Sequence, residues 1–358
     1  MNSLLNYLPN AISSLLLTTF LVYAFQSPAK KVGLVDIPGG RKHHQDTIPL
    51  IGGIAIFCSF FFNLLIIDIP VREFSSLFAG IGILLITGML DDLHDISAKT
   101  KLLMQLVAAS IVVLWGGLVL PNLGNLFGLG LIGLGPFKEV FTILCIVTLI
   151  NAINMIDGMD GLSGGISLVL LFALTFIAFS INASGDFVLL IMLTGACIGF
   201  LLFNARIPPR KKASVFLGDS GSMSFGLVIA WFAIHLATNP DNQLPAISYA
   251  WLVSIPVFDT MILMARRIAK RRNPFSADRE HIHHIFERAG ISYNGTVILI
   301  ITSVSFMAVA GIVAGSANTP EALLTLGFFL ALIFHLYFVI HAWKVMKYLR
   351  KIKARIKL

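Results

Sequence analysis

Charged side chains are scarce in this chain. Asp, Glu, Lys and Arg make up 12% of its 358 residues, whereas about a quarter is usual for a soluble domain. Hydrophobic residues account for 57% of the chain, and the mean hydropathy is +0.87. A soluble protein of this length needs far more polar sequence to cover its core. The composition therefore excludes a soluble globular fold and predicts that much of the surface faces lipid.

Cysteine is also rare. The three cysteines, Cys58, Cys145 and Cys197, stand inside apolar runs, and their separations match neither a metal-binding motif nor a disulfide framework. We interpret them as small buried hydrophobic side chains. The first apolar run, Leu4 to Phe25, lacks a basic leading segment and a small-residue cleavage pattern. It is therefore predicted to be a membrane helix rather than a signal peptide.

Long apolar runs, in contrast, are abundant. Runs of about 20 residues, the length that crosses a bilayer as an α-helix, recur along the whole chain. They predict an all-α polytopic integral membrane protein with about eleven transmembrane helices, organised as a single membrane domain over residues 1–358. The predicted spans are 4–25, 48–67, 75–91, 102–120, 136–153, 161–181, 186–203, 217–237, 246–266, 294–315 and 321–344.

Lys and Arg are distributed unevenly between the connections of these spans. When the spans are numbered in order, all but Arg72 and Lys138 fall on one side. Because basic loops stay in the cytoplasm, this asymmetry predicts a periplasmic N-terminus and a cytoplasmic C-terminus. The net charge of +8 then favours contact between the cytoplasmic face and anionic membrane lipids. No aromatic pattern interleaves with the basic tail, so nucleic acid is not expected as a partner.

Several of the few acidic residues cluster at helix ends that this topology places in the cytoplasm. A carboxylate is costly in a membrane, by about 2.5–3.5 kcal/mol at a helix centre and less near an end, so such residues are functional candidates. If the helices bundle, the carboxylates can converge on one hard cation, for which oxygen ligands favour Mg²⁺ or Mn²⁺. The five acids are Asp91, Asp92, Asp157, Asp160 and Asp219.

Glycines and histidines accompany these acids. Glycine surrounds them in "NAINMIDGMDGL", residues 151–162, and in "VFLGDSGS", residues 215–222, where it lets the backbone and a helix N-terminus approach a phosphate. The segment "NPFSADREHIHHIFERAG", residues 273–290, adds three histidines and an arginine without the cysteines or spacing of a common zinc site. Since arginine grips phosphate, the combination indicates an anionic, sugar-bearing substrate.

The ordered set of motifs resembles a known family. "DD" after the third span, "NAINMIDGMDGL", "VFLGDSGS", "DREHIHH" and the first loop "KKVGLVDIPGGRKHHQDTIPLIGG" are similar to the polyprenyl-phosphate N-acetylhexosamine-1-phosphate transferases. The first loop is closest to the bacterial branch that uses GlcNAc, and the resemblance covers essentially the whole chain. Each motif alone is modest, whereas the ordered set is specific.

The resemblance implies an activity. A transferase of the bacterial inner membrane, with its active site on the cytoplasmic face, would move GlcNAc-1-phosphate from UDP-GlcNAc to undecaprenyl phosphate. It would release UMP and form undecaprenyl-pyrophosphoryl-GlcNAc, which starts O-antigen, enterobacterial common antigen or a related cell-envelope polysaccharide. The expected cofactor is Mg²⁺, with Mn²⁺ as a substitute.

The resemblance also implies roles for individual residues in the loops near 26–47, 91–101, 154–161, 204–221 and 267–293. One of the adjacent aspartates is expected to deprotonate or orient the lipid phosphate. Asp259 occupies a "P-x-x-D" position to which no role is assigned. The expected catalytic residues are Asp91, Asp92 and His281, and the expected metal ligands are Asp219, Asp157 and Asp160. The expected substrate-binding residues are Asn154, Asn204, Phe216, Lys42, Lys101, His283, His284 and Arg279.

Other functions remain open at this point. The same reaction with another UDP-amino sugar, or in teichoic-acid initiation, uses the same chemistry. An ion-coupled transporter also carries acids in its membrane helices, but it needs them near the bilayer midplane, whereas phosphoryl transfer needs them at the cytoplasmic rim. Patterns similar to GxxxG allow a homodimer without requiring one.

Overall fold

The structure of the protein is a computed structural model, which describes residues 6–36, 47–67, 70–271, 281–344 and 346–348. Regular structure in these ranges is almost entirely helical, which confirms the all-α prediction. The α-helices are α1 Leu8–Val32, α2 Gly52–Leu64, α3 Ser75–His94, α4 Ala98–Ser110, α5 Lys138–Met155, α6 Leu162–Ser180, α7 Ser184–Asn204, α8 Gly218–Ala237, α9 Ala246–Leu252, α10 Ser254–Ala269, α11 Ile282–Arg288, α12 Tyr293–Ser316 and α13 Glu321–Ile340. Two short strands are β1 Val35–Asp36 and β2 Ile48–Pro49.

The apolar helices confirm a multi-pass membrane protein. Within the described ranges, nine helices are long and apolar enough to cross a membrane, and α9 with α10 forms a further, bent pair. Each of these overlaps one of the predicted spans, with ends that differ by up to seven residues for α1. The remaining predicted span, 48–67, contains only the 13-residue α2, because its first residues pair as a strand instead of joining the helix.

Proline accounts for the bend between α9 and α10, whose axes differ in direction by 76°. Pro256 has no N–H to donate, and in a continuous helix its ring would meet the carbonyl of Leu252. The helix therefore stops at Leu252 and resumes at Ser254 in a new direction.

The described residues form two compact units. The first is drawn from Met1–Asn122 and Leu134–Asn242. At its centre lies α8, whose side chains are nearly all buried against α2, α3, α5 and α6. Glycine allows the closest of these approaches, because a Cβ on Gly88 of α3 would overlap the backbone of Ser220 in α8. The C-terminal end of α3 and the N-terminal end of α8 therefore meet backbone to backbone.

The second unit is drawn from Leu123–Gly133 and Gln243–Leu358. Four of its helices, α10 to α13, contribute to one apolar cluster. This cluster consists of Phe258, Ile262, Leu263, Ile285, Met307 and Val339. The arrangement of the chain as a single membrane domain remains a prediction.

A short β-ladder fixes the chain that enters α8. Strand β2 pairs antiparallel with β1, and the amide of Phe216 donates to the carbonyl of Pro49 over 2.9 Å. The carbonyl of Phe216 in turn accepts from Gly52, also at 2.9 Å. The end of the first loop is thereby tied to the segment that carries "LGD", a connection that helical periodicity did not predict.

Candidate active site

The centre of the candidate site is an ion pair shared by three helices. Lys101, in the first turn of α4, places its Nζ 2.7 Å from Asp91 Oδ2 and 3.2 Å from Asp219 Oδ2. Asp91 lies in the last turn of α3, and Asp219 in the first turn of α8. The α3–α4 connection is short because Asp95 takes a left-handed conformation and Ser97 caps α4 by accepting from the amide of Thr100. Lys101 is thereby turned back toward the end of α3.

Asp92 has a different environment from that of its neighbour Asp91. Its Oδ1 accepts a hydrogen bond of 3.1 Å from the backbone amide of Asp219, and Ser220 also donates its amide to this carboxylate. These are free N–H groups of the first turn of α8, so Asp92 caps a helix other than its own. Gly218, at φ 76°, precedes them, and a Cβ there would approach Asp92 Oδ2 to 2.6 Å. The adjacent aspartates, which the sequence alone cannot distinguish, therefore have separate contacts.

Asn154 and Asp157 lie next to the carboxylates of Asp219 and Asp92. Asn154 Nδ2 donates to Ser222 Oγ over 2.9 Å and also bonds Asp219, so the amide connects the end of α5 to α8. Asp157 lies in the connection after α5, where its side chain is exposed. Partial desolvation by the surrounding protein raises the pKa of Asp157 above its usual range, and like charges on Asp219, Asp92 and Asp160 raise it further. A bound cation would favour its ionised form.

Asp160 and Asn204 hold the segment that leads to α8. Asp160 Oδ2 lies 2.7 Å from Arg206 Nε and accepts from the amide of Ala213 over 3.1 Å. Asn204 is buried, and its side chain accepts from the amide of Gly161 at 2.8 Å while donating to the carbonyl of Val215 at 2.9 Å. The side chains of Asp160 and Asn204 thus stabilise the loop by their hydrogen bonds. The role of Asp160 as a metal ligand and that of Asn204 as a substrate contact remain predictions.

The remaining predicted residues of this region are distributed as follows. Phe216 is half-buried, and its backbone is fixed by the β-ladder next to "LGD". Its contact with a base stays a prediction. Lys42 and Arg279 lie outside the described residues.

The histidine motif lies in the second unit. His281 precedes α11 and places its Nδ1 2.8 Å from Asp259 Oδ2, with both side chains almost fully buried. The ring of His283 is nearly parallel to that of His281, with 5.6 Å between centroids, and it contacts His284 at 4.2 Å. The structure therefore brings the three predicted histidines together and adds Asp259, to which the sequence assigned no role.

Two of these histidines are neutral at physiological pH. Burial, together with the charges of His284 and His281, lowers the pKa of His283 to about 3. Burial also lowers the pKa of His284, although Glu287 opposes the shift. We therefore expect His283 and His284 to act as hydrogen-bonding groups rather than as cations.

Comparison with known proteins bears on the whole chain. Residues 74–237 match the family described as "Glycosyl transferase family 4". Proteins named undecaprenyl-phosphate α-N-acetylglucosaminyl 1-phosphate transferase are similar over nearly their full length. The one from Escherichia coli O157:H7 is 33% identical over 99% of this chain and 97% of the relative, and the one from Pasteurella multocida is 35% identical over 95% and 96%. The chain belongs to glycosyl transferase family 4.

This family 4 protein is therefore an enzyme of the glycosyl-1-phosphate transferase type, as its motifs predicted. The match includes α3 to α8, and hence the Asp91–Lys101–Asp219 centre. The similarity to the relatives extends further, over the histidine motif of the second unit.

The centre of the transferase fits a hard divalent cation that arrives with a phosphate ligand. Asp91 Oδ1 and Asp92 Oδ2 are buried and have no hydrogen-bond partner among the described residues. The carboxyl groups of Asp91 and Asp219 also lie within hydrogen-bonding reach of each other, which calls for a proton or a cation between them. In the described part, no three His, Cys, Asp or Glu side chains form a complete metal site. Mg²⁺ needs only one or two carboxylates when phosphates supply other ligands.

Sequence reasoning missed several residues of the transferase site. Ser222 and Arg206 contact predicted residues. Ser222 is the last residue of "VFLGDSGS" and Arg206 stands two residues after Asn204, so their places in or beside the predicted sites were their only signal. A reciprocal amide pair, Gln105 with Asn151, joins α4 to α5 near Lys101, with Asn151 Nδ2 2.6 Å from Gln105 Oε1. No spacing rule predicts that pair, because its members are far apart in the chain.

Proposed function

We propose that this enzyme transfers GlcNAc-1-phosphate from UDP-GlcNAc to undecaprenyl phosphate. An oxygen of the lipid phosphate bonds to the β-phosphorus of the nucleotide sugar. The bond from that phosphorus to the bridging oxygen breaks, and UMP leaves with the electron pair. The product is undecaprenyl-pyrophosphoryl-GlcNAc. Full-length similarity to proteins named for this acceptor and this sugar is the observation that carries the proposal.

The geometry supports phosphoryl transfer because both reactants are anions. Such chemistry depends mainly on positioning and on positive charge next to the reacting phosphates. Lys101 supplies a cation, and its contacts with Asp91 and Asp219 hold it at the junction of three helices. Asp91 Oδ2 bonds Lys101 and Asp92 Oδ1 bonds the start of α8, while Asp91 Oδ1 and Asp92 Oδ2 have no hydrogen bond in the described part. We therefore assign the weak base role, taking the last proton from the lipid phosphate, to one of these two oxygens.

A divalent cation belongs to the proposal, with Mg²⁺ expected and Mn²⁺ as its substitute. When bound, the ion would neutralise charge on the pyrophosphate and on the departing UMP. Asp219 and Asp157 are the proposed ligands, together with substrate phosphates. Asp160 stays a predicted ligand, although Arg206 and Ala213 engage its Oδ2.

The nucleotide and sugar are assigned to the remaining predicted residues. Phe216 would stack on the uracil, with Asn154 and Asn204 nearby. The histidine motif and the basic side chains would bind the sugar phosphates. The residues proposed to bind the sugar phosphates are His281, His283, His284, Lys42 and Arg279.

The surroundings of the reaction follow from the charge pattern. Basic residues concentrate in the connections that carry the motifs, which supports a cytoplasmic active site in the bacterial inner membrane, with anionic lipids around it. The lipid-linked sugar would start O-antigen, enterobacterial common antigen or a related polymer. A homodimer stays a prediction.

The transporter alternative is less well supported. Asp91 and Asp92 lie in the last turn of α3, Asp219 lies in the first turn of α8, and Asp157 lies between helices. A transporter would place such acids midway along broken helices. Another UDP-amino sugar remains an outcome of the test.

The test is a radiolabel assay with purified protein. Undecaprenyl phosphate, Mg²⁺ and one labelled UDP-amino sugar at a time are supplied, and lipid-linked label is extracted. We expect label from UDP-GlcNAc above all others, abolition by EDTA, and recovery with added Mg²⁺ or Mn²⁺. Full activity after exhaustive chelation would contradict the cation, and label from a different sugar alone would reassign the donor.

A further inference from the structure

The second unit contains a buried carboxylate that the proposed reaction does not use directly. Asp259 lies on α10 and is 1% exposed. Its Oδ2 is 2.8 Å from His281 Nδ1, and its Oδ1 accepts from the amide of Ile282 over 3.2 Å. His335 of α13, which belongs to none of the motifs, places its Nε2 3.7 Å from the same Oδ1.

Burying a carboxylate is costly unless it is paired and hydrogen-bonded, and removal of one partner leaves an uncompensated charge. Here the carboxylate and its partners come from three separate elements, α10, α11 and α13, each anchored in one apolar cluster. Phe258, next to Asp259, packs edge-on against Phe328 at 4.9 Å and lies 6.1 Å from the His335 ring. Ile285 of α11 belongs to the same cluster. Packing therefore fixes the positions of the carboxylate and both imidazoles.

The orientation of His281 follows from this arrangement. A carboxylate on Nδ1 holds the imidazole in one rotamer and one tautomer, with the proton on Nδ1. Nε2 is then the ring nitrogen left to meet a ligand, and it presents the same face to each substrate molecule. Orienting carboxylates of this kind act on histidines in catalysis and in metal sites, and their removal typically lowers activity or affinity about 10- to 100-fold.

We propose that Asp259 and His335 are positioning residues that hold His281 with Nδ1 against the carboxylate and Nε2 toward the sugar-nucleotide phosphates. The assignment of the ligand rests on the proposed function, whereas the assignment of the orientation does not. Asp259 supplies the fixed acceptor. His335 packs 3.7 Å from the other carboxylate oxygen, Oδ1, beyond hydrogen-bonding distance, and its ring keeps the carboxylate from turning away from His281.

The test combines a direct measurement on the ring with kinetics. In the full chain in nanodiscs, ¹⁵N-histidine NMR reports the tautomer of His281, whose signals are identified by their loss in His281→Gln. We expect one Nδ1-protonated form in the unaltered protein and a mixture of tautomers in Asp259→Asn, with a smaller change in His335→Gln. The controls are Asp241→Asn, which is exposed, and His341→Gln, at the end of α13.

The kinetic arm is a double-mutant cycle. Asp259→Asn should lower kcat/KM for UDP-GlcNAc about 10- to 100-fold. Adding it to His281→Gln should cost little more, because residues that act as one unit are non-additive. Unchanged His281 signals in a folded Asp259→Asn protein, or fully additive losses, would overturn the proposal. If the ring signals respond as expected while the unaltered protein does not use UDP-GlcNAc, the orientation stands and the proposed function fails.

Discussion

The two units of the molecule treat buried carboxylates in opposite ways. In the first, Lys101 is the only cation paired with Asp91 and Asp219 in the described part, and one oxygen each of Asp91 and Asp92 has no hydrogen-bond partner there. In the second, both oxygens of Asp259 face donors from the protein itself. A carboxylate left short of positive charge indicates a place for an external cation or phosphate ligand, whereas a satisfied carboxylate indicates that its partner is being positioned.

The largest expected effect tests the unsatisfied centre. Asp219→Asn keeps the shape of the side chain but removes the charge at the junction of α3, α4 and α8. Since one preorganised electrostatic group is typically worth 10²–10³ in rate, we expect kcat to fall on the order of 10³-fold. UMP release measures this. The control Asp241→Asn should release UMP at the rate of the unaltered protein. Normal turnover by Asp219→Asn would show that Asp219 is not a metal ligand, and the contrast between the two units would then fail.

The next effect tests how the first centre is assembled. Gly88→Ala should push α3 away from α8, because the added Cβ would overlap the backbone of Ser220. We expect this overpacking to lower the free energy of unfolding by about 1–3 kcal/mol. A displacement near 1 Å should also lower the rate about 10²-fold. Activity and thermal unfolding are measured together. Gly82→Ala, on the same helix with open space around the added Cβ, is the matched control. Equal behaviour of the two variants would show that the close approach is not required.

The smallest effect tests the second unit through pH. The pKa of His283 is about 3 in the folded protein, and the ordinary value of about 6.5 applies when it is unfolded. Below pH 6.5 the unfolded state binds the extra proton, so this stability is present above that pH and is lost as the pH falls toward 3. From pH 7 to 5 the loss from this group is about 2 kcal/mol.

Unfolding curves at the two pH values measure that loss. His283→Gln should show a weaker dependence on pH than the unaltered protein, while His341→Gln should not differ from it. The same pH dependence in all three proteins would mean that His283 is solvated, contrary to its burial.

Much of the fold was predictable because membrane helices are long and apolar, so their signal is contained in single stretches of sequence. The prediction was weakest where another interaction replaced the helix. Residues 48–49 form a strand that bonds Phe216, and Pro256 divides the span at 246–266. The first depends on a partner far away in the chain, and the second on a bend whose angle periodicity does not give.

The candidate site divides along the same line. The sequence by itself determined which residue types stand at the helix ends, because acids are expelled from apolar runs unless something requires them. Tertiary structure alone decided that Asp91 binds Lys101 while Asp92 caps α8, that Asp160 meets Arg206, and that His335 reaches Asp259. Most of those contacts join residues distant in the chain, and all of them join different helices or loops, so their geometry is set by packing rather than by spacing along the sequence.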